Sequence, residues 1–402
     1  MQRSLVIAVL AGAVMSVPSV QAQTGNVVLY GRANLSVDTY SATGGTCAPG
    51  VDCNFKSRAR VTDAASRLGV RGVEDLGSGL RAVFQIETGV NIDSGTNNAQ
   101  SATPNANTGF LASRDSFVGL EGGFGRLTVG RQSIYWGNGT IIQTGANYVN
   151  AEIPFSSAVI FGRVTGPVAR QSNVLQYTMP TFGGFNTTLS YSPQSEAAGA
   201  GAKTDSRVMG VTARWAGGPI AIQGDWAKNQ AATPAAGARP VVTGMKGAAG
   251  FTYMPGAQIS VLYIRLQDKI GNAAAGLIPG PQAGFSAAGD TVKQAAWMLS
   301  WEHTFGNIQA LAQYGQLGKA TGCTVAGGCD NTQARAYLIG GRYHMSKRTA
   351  LYATYNAVTN KANQTLDYVG GGFTSAPATG LLPGIAPGAD PKIMALGILH
   401  NF

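Results

Sequence analysis

Past its opening residues, the sequence has no apolar run able to cross a membrane as a helix, which takes roughly 20 mostly apolar residues. The two long uncharged stretches, Ile270–Gly289 and Tyr368–Ala389, are broken by glycine and proline and read as loops. Charge is sparse: Asp, Glu, Lys and Arg make up 12% of the chain, with a net charge of +10. A nucleic-acid-binding protein gathers its basic residues on one face or run. Here they are scattered, apart from short runs such as Lys56-Ser57-Arg58-Ala59-Arg60, so no nucleic-acid partner is expected. The only histidines, His303, His344 and His400, lie in separate segments, and no GxSxG occurs. That argues against a Ser–His hydrolase and a histidine metal centre. No cofactor is expected.

Cysteine is scarce too, with Cys47, Cys53, Cys323 and Cys329 alone. Each neighbouring pair encloses five residues of a turn-like segment, a spacing unusual for zinc. Four cysteines allow three pairings. Closure of short surface loops favours Cys47–Cys53 and Cys323–Cys329, in an oxidising compartment.

The chain opens with Gln2-Arg3, an uncharged apolar run from Leu5 to Val17, and small residues at Val20-Gln21-Ala22. This has the form of an export signal, so residues 1–22 are expected to be removed and residues 23–402 to form one domain.

Glycine, in contrast, is abundant, with 56 residues. It punctuates segments of about ten residues that alternate apolar with polar or small side chains, the weak signature of a transmembrane barrel. In Phe185–Tyr191, for example, Phe185, Leu189 and Tyr191 oppose Asn186, Thr188 and Ser190. Trp297, Leu299 and Trp301 oppose Ser300 and Glu302, while Ile220, Ile222 and Trp226 oppose Gln223 and Asp225. Aromatics near segment ends (Tyr30, Tyr191, Trp215, Trp226, Phe402) are expected in interfacial girdles.

Alternation alone fits a soluble sandwich equally well, but the connections sort by length. Seven short turns (75–79, 122–125, 180–184, 217–219, 255–256, 304–306, 346–347) alternate with eight long loops (41–56, 93–111, 133–170, 194–204, 229–242, 269–290, 318–330, 361–390). That predicts an all-β fold: a sixteen-stranded antiparallel transmembrane β-barrel with short periplasmic turns and long external loops. Sixteen strands leave an aqueous channel.

The run Ser66-Arg67-Leu68-Gly69-Val70-Arg71-Gly72-Val73-Glu74-Asp75-Leu76-Gly77 resembles the second strand and first turn of the trimeric porins of Neisseria and Burkholderia-type bacteria. Ser116–Leu120, Val129–Gln132, Gln176–Thr178, Phe182–Phe185 and the closing His400-Asn401-Phe402 carry the likeness along the chain. The resemblance implies a homotrimer in the Gram-negative outer membrane, surrounded by lipid, passing small solutes and ions. It also implies a third external loop, here 133–170, folded into the lumen as a constriction, and a terminal Phe402 read by the barrel assembly machinery.

By position, the resemblance makes Arg67 and Arg170 basic residues of the pore wall, with Arg114 close to another. Alternation puts Arg32, Arg67 and Arg71 on the lumen face. Asp38, Glu87, Asp225 and Glu302 alternate inward as well. The constriction loop carries one acid, Glu152, and the basic Arg163. Arginine opposed by a single acid predicts anion preference. Two features depart from the family: Leu399 and Asn401 stand where basic residues are usual on the last strand, and the loop is poor in acids.

The rival readings are a substrate-selective barrel channel, a barrel-embedded enzyme and an exported β-rich adhesin. A plugged transporter is disfavoured because alternation begins at Val27.

Overall fold

The computed structural model describes residues 26–47, 49–50, 52, 54–63, 66–90, 92–93, 111–134, 170–193, 206–232, 238–271, 287–367 and 385–402. No helix occurs among them. The first strands are β1 (Asn26–Thr43), β2 (Phe55–Asp63), β3 (Arg67–Gly77), β4 (Leu80–Gly89), β5 (Ser116–Gly122) and β6 (Gly125–Ser133). Next come β7 (Arg170–Thr178), β8 (Phe185–Ser192), β9 (Arg207–Gly217), β10 (Ile220–Gln230), β11 (Val241–Met254) and β12 (Ala257–Lys269). The chain ends with β13 (Thr291–Phe305), β14 (Ile308–Leu317), β15 (Ala334–His344), β16 (Thr349–Asn360) and β17 (Asp390–Asn401).

Each strand pairs antiparallel with its neighbours, and β17 closes on β1 from Arg32↔Asn401 to Thr43↔Asp390. Among the described residues there are seventeen strands but sixteen staves. Both β2 and β3 lie along β1, with Leu35↔Asp63 and Arg32↔Arg67. They are one stave interrupted beside Ser66, whose hydroxyl accepts the Asn34 amide hydrogen (2.9 Å) and whose amide donates to Asp63 Oδ1 (2.9 Å). Side-chain oxygens here replace ladder partners, so the break leaves these backbone groups satisfied.

The seven short turns and eight long connections fall where chain composition places them. At the β3–β4 turn, Gly77, Ser78 and Gly79 all have positive φ (88°, 53° and 77°), a conformation glycine adopts at little cost.

Alternation puts large apolar side chains on the outer face: Val118, Leu189, Val261, Ile339 and Leu396 are all exposed there. Asn34, Asp38, Gln223, Ser260 and Asn356 point the other way and are buried. A continuous apolar belt around a closed sheet is at home in hydrocarbon. Tyr191, Trp215 and Phe402 are exposed as a girdle requires. Tyr30 is not a girdle residue. It turns inward over Gly69, its direct cross-strand partner, and the missing Cβ at Gly69 makes room for the ring.

The inner wall is not uniform. From β12 to β15 the inward residues include Leu262, Ile264, Met298, Leu311 and Leu338, all buried in one apolar cluster. Ile134, just beyond β6, belongs to the same cluster and is 1% exposed. Its side chain fills the space in front of Gly210 on β9. Ile134, the last described residue after β6, is therefore turned toward β9. This is the direction that an infolded third connection requires; residues 135–169 lie outside the described set.

Candidate arginine-lined pore wall

Three neighbouring rows of the ladder organise the charged side of the wall. Arg32 on β1 faces Arg67 on β3 directly. One row toward the turns, Tyr30, Gly69 and Glu87 align across β1, β3 and β4. In the next row Arg71 stands opposite Gln85, which faces Phe117 on β5.

Like charges directly opposite on adjacent strands repel, so the pair needs support. Arg32 donates from Nε to Asn401 Oδ1 (3.0 Å). Arg67 Nε lies 3.8 Å from Glu87 Oε2. Arg114 pairs with the other oxygen of the same carboxylate. The Tyr30 hydroxyl also donates to Glu87 (3.0 Å), and the Arg71 guanidinium sits over the Tyr30 ring, 5.1 Å from its centroid. One acid and one phenol thus hold three arginines. Arg342 on β15, facing Tyr352, lies within electrostatic reach of Arg32.

Arg170 opens β7 and donates to Asp115 Oδ1 (3.1 Å), while the Ser133 hydroxyl donates to both oxygens of that carboxylate (2.9 and 3.0 Å). Asp115 therefore neutralises Arg170 and not Arg114, the residue beside it. Among the described residues, five arginines (32, 67, 71, 114, 170) share two carboxylates, Glu87 and Asp115, an excess of three positive charges.

Other inward acids are matched locally. Asp38 accepts from Arg60 (2.7 Å) and Asp225 pairs with Lys246 (3.3 Å). They do not offset the cluster. Neither Glu74 nor Asp75 pairs with Arg67 or Arg71; the partners lie across the sheet. Glu152 and Arg163 lie outside the described residues.

Alternation also foretells Arg342, which shares the inward face with Leu338, but its strand carries no likeness as marked as the SRLGVRGVEDLG run. The inward side of Tyr30 is legible, since alternation puts it on the same face as Arg32; its role in holding Glu87 and Arg71 is not, because those partners come from other strands. On the last strand, Leu399 and Asn401 face inward as alternation requires. The aromatic end is clasped to the first strand: the Gly31 and Phe402 amides each donate to the other's carbonyl (3.0 and 3.1 Å).

Among the cysteines, Cys323 and Cys329 form a disulfide with Cα atoms 5.7 Å apart. Cys47 is also disulfide-bonded; Cys53 lies outside the described residues. Among the described residues no group of His, Cys, Asp and Glu could hold a metal ion.

A closed β-barrel with an apolar outside and a charged inside defines a transmembrane β-barrel. The Gram-negative porin profile matches residues 5–363, and the chain belongs to that family, whose place is the outer membrane. It is 34% identical over 181 residues to the major outer membrane protein P.IB of Neisseria gonorrhoeae, covering 44% of this chain and 45% of that one. The chain thus spans about half the length of the first curated relatives it matches. The Neisseria lactamica P.IB protein is 25% identical over 331 residues, 82% of this chain and 87% of its own. Among solved structures, the anion-selective porin from Comamonas acidovorans superposes with a TM-score of 0.69 at 24% identity, covering 94% of this chain and all of that one. Family membership stands against the enzyme and adhesin readings.

Proposed function

We propose that the chain forms a water-filled channel for passive diffusion of small hydrophilic solutes and ions, with a preference for anions. The observation that carries this reading is the excess of arginine over carboxylate on one side of the inner wall. Arg32, Arg67, Arg71, Arg114 and Arg170, joined by Arg342, act as the basic side of a constriction. The segment 133–170, with Glu152 and Arg163, forms the other side. The Comamonas acidovorans porin, similar in fold, is anion-selective, and this supports the sign.

Arg32 and Arg67 occupy facing ladder positions about 5 Å apart, inside one Debye length, roughly 8 Å at physiological ionic strength, and Arg67 and Arg114 share the Glu87 carboxylate. An ion threading the narrowing therefore meets their summed field. In this proposal residues 1–22 are the export signal and the mature chain assembles as a homotrimer. Outer-membrane lipid surrounds its apolar belt, and the assembly machinery reads Phe402.

The test is the reversal potential of the purified protein in a planar bilayer under a potassium chloride gradient. The proposal expects the sign set by chloride, shrinking as ionic strength rises toward 1 M, where the Debye length falls to about 3 Å. A potassium-directed potential overturns the anion preference. No conductance from folded protein overturns the pore.

A further inference from the structure

Along β12 the outward positions change character in order. Ile259, Val261 and Tyr263 are exposed and apolar or aromatic. Arg265, Gln267 and Lys269 follow toward the long connections and are exposed as well. Lys293 on β13 pairs directly with Gln267. It therefore lies diagonal to both Arg265 and Lys269, about 7–8 Å from each across the sheet. Lys228 on β10 shares the same row through Thr243 on β11. At the turn end of β11–β13 the outward residues include Phe251, Trp301 and Phe305 and no Lys, Arg, Asp or Glu.

No carboxylate answers these cations. Among the described residues Lys228, Arg265, Lys269 and Lys293 form no ion pair. Asp268 points inward and is buried. The connections 231–240 and 270–289 contain no acid. Asp290 is held by Thr324 and Ala287, and Asp330 by Lys319. Like charges gathered on one face repel, so the patch is stabilised by an anion from outside the chain. Its place says where that anion comes from. Directly below it on the outer face Tyr263 stands opposite Trp297, whose ring lies 5.5 Å from that of Tyr314. Such an aromatic row marks the level of lipid headgroups.

We propose that Arg265, Lys269 and Lys293, supported by Lys228, form a site on the outside of the barrel for a lipid whose headgroup carries a phosphate monoester. The acyl chains lie along Val261 and Ile259, and the phosphate sits over Gln267. A monoester bears about two negative charges at neutral pH and three strong acceptor oxygens, which suits several converging cations. Arginine forks onto such oxygens and lysine adds point charge. The site depends on the barrel and its apolar belt, not on what the pore conducts.

The test is lipid retention by the folded protein in non-ionic detergent, read by native mass spectrometry. The probe is dioleoyl phosphatidic acid, and the control is dioleoyl phosphatidylglycerol, a singly charged diester with the same chains. Wild-type protein is expected to retain phosphatidic acid at lower concentration. Arg265→Gln combined with Lys293→Gln is expected to weaken that retention about tenfold or more. Lys347→Gln combined with Arg348→Gln, two exposed cations at the β15–β16 turn, is expected to leave it unchanged. Equal weakening by both pairs assigns the effect to net charge and overturns the site, as does equal retention of the two lipids. Displacement of the lipid by an equal concentration of inorganic phosphate gives the site to the free ion and overturns the lipid. A change in the number of copies per assembly with lipid retention intact makes the patch a contact between copies, which also overturns it. If the first pair does not assemble, Lys269→Gln replaces it; a severalfold weakening is then expected, and no change overturns the proposal.

Discussion

The inner wall has two arcs built from the same alternating pattern to opposite ends. Along β1–β7 the inward positions hold arginines that share too few carboxylates. Along β12–β15 the same positions hold Leu262, Ile264, Met298, Leu311 and Leu338. Strand geometry dictates only that every second residue faces in; whether the face is wet or dry depends on what it meets. A charged arc needs water and mobile ions. An apolar arc facing a channel needs cover, since burying a leucine-sized side chain is worth about 1.5–3 kcal/mol over leaving it in water. Ile134, packed against Gly210 on β9, belongs to the same buried apolar cluster as that arc.

The difference can be broken most severely at the ion pair on the border of the apolar arc. Lys246 and Asp225 side chains are both fully buried. Asp225→Asn takes the carboxylate from the ammonium, and a destabilisation on the order of 3 kcal/mol is expected. Loss of the heat-resistant folded band at lower temperature on gels would register it; unaltered heat resistance would mean that the pair is dispensable.

Ile134→Ala loosens the cover. Large-to-small changes at a buried site cost about 2–5 kcal/mol. Single-channel recordings should show a larger and noisier conductance, with anion preference retained because the charged arc is untouched. A silent substitution would detach the segment after β6 from the apolar arc.

On the charged arc, the double change Arg32→Gln and Arg67→Gln should move the reversal potential toward zero while leaving the folded fraction nearly intact. It removes two like charges that oppose one another, which is a relief for the barrel as much as a loss for the pore. A reversal potential indistinguishable from wild type would place selectivity elsewhere.

The smallest effect is expected outside both arcs. Burial raises the pKa of Asp290, but the amides of Thr324 and Ala287 and the Thr324 hydroxyl outweigh it and hold the carboxyl below its usual range. Such a depressed carboxyl contributes stability above its unfolded pKa, about 3.9, and loses it as pH falls through the lower folded value. Asp290→Asn should therefore lower thermal stability slightly at pH 7, and the difference from wild type should vanish below about pH 3. A difference that persists in acid would assign the effect to shape, not charge.

Much of this contrast is legible in the chain itself. Turn glycines and the sorting of loop lengths mark the sixteen staves, and parity along β1 and β3 puts Arg32, Arg67 and Arg71 inside. Parity is a local property, and it carries as far as the strand stays regular. The break at Ser66 escapes it because the substitute hydrogen bonds come from β1 and from Asp63, not from a turn motif. Pairing escapes it as well. Arg67 shares Glu87 with Arg114, and Arg170 finds Asp115 from 55 positions away, contacts that only the closed ladder brings together.

The seam where β17 meets β1 also bears on how the barrel is made. Arg32 and Asn401, hydrogen-bonded side by side, are 369 positions apart in the chain. No partial product can form that contact, so closure must wait for the last strand, and every earlier stage carries two open sheet edges. Lipid cannot satisfy such edges, and long-range pairing of this kind is the slowest to form. An insertion in a long external loop leaves the circuit whole, whereas loss of the final dozen residues would leave a sheet that cannot shut.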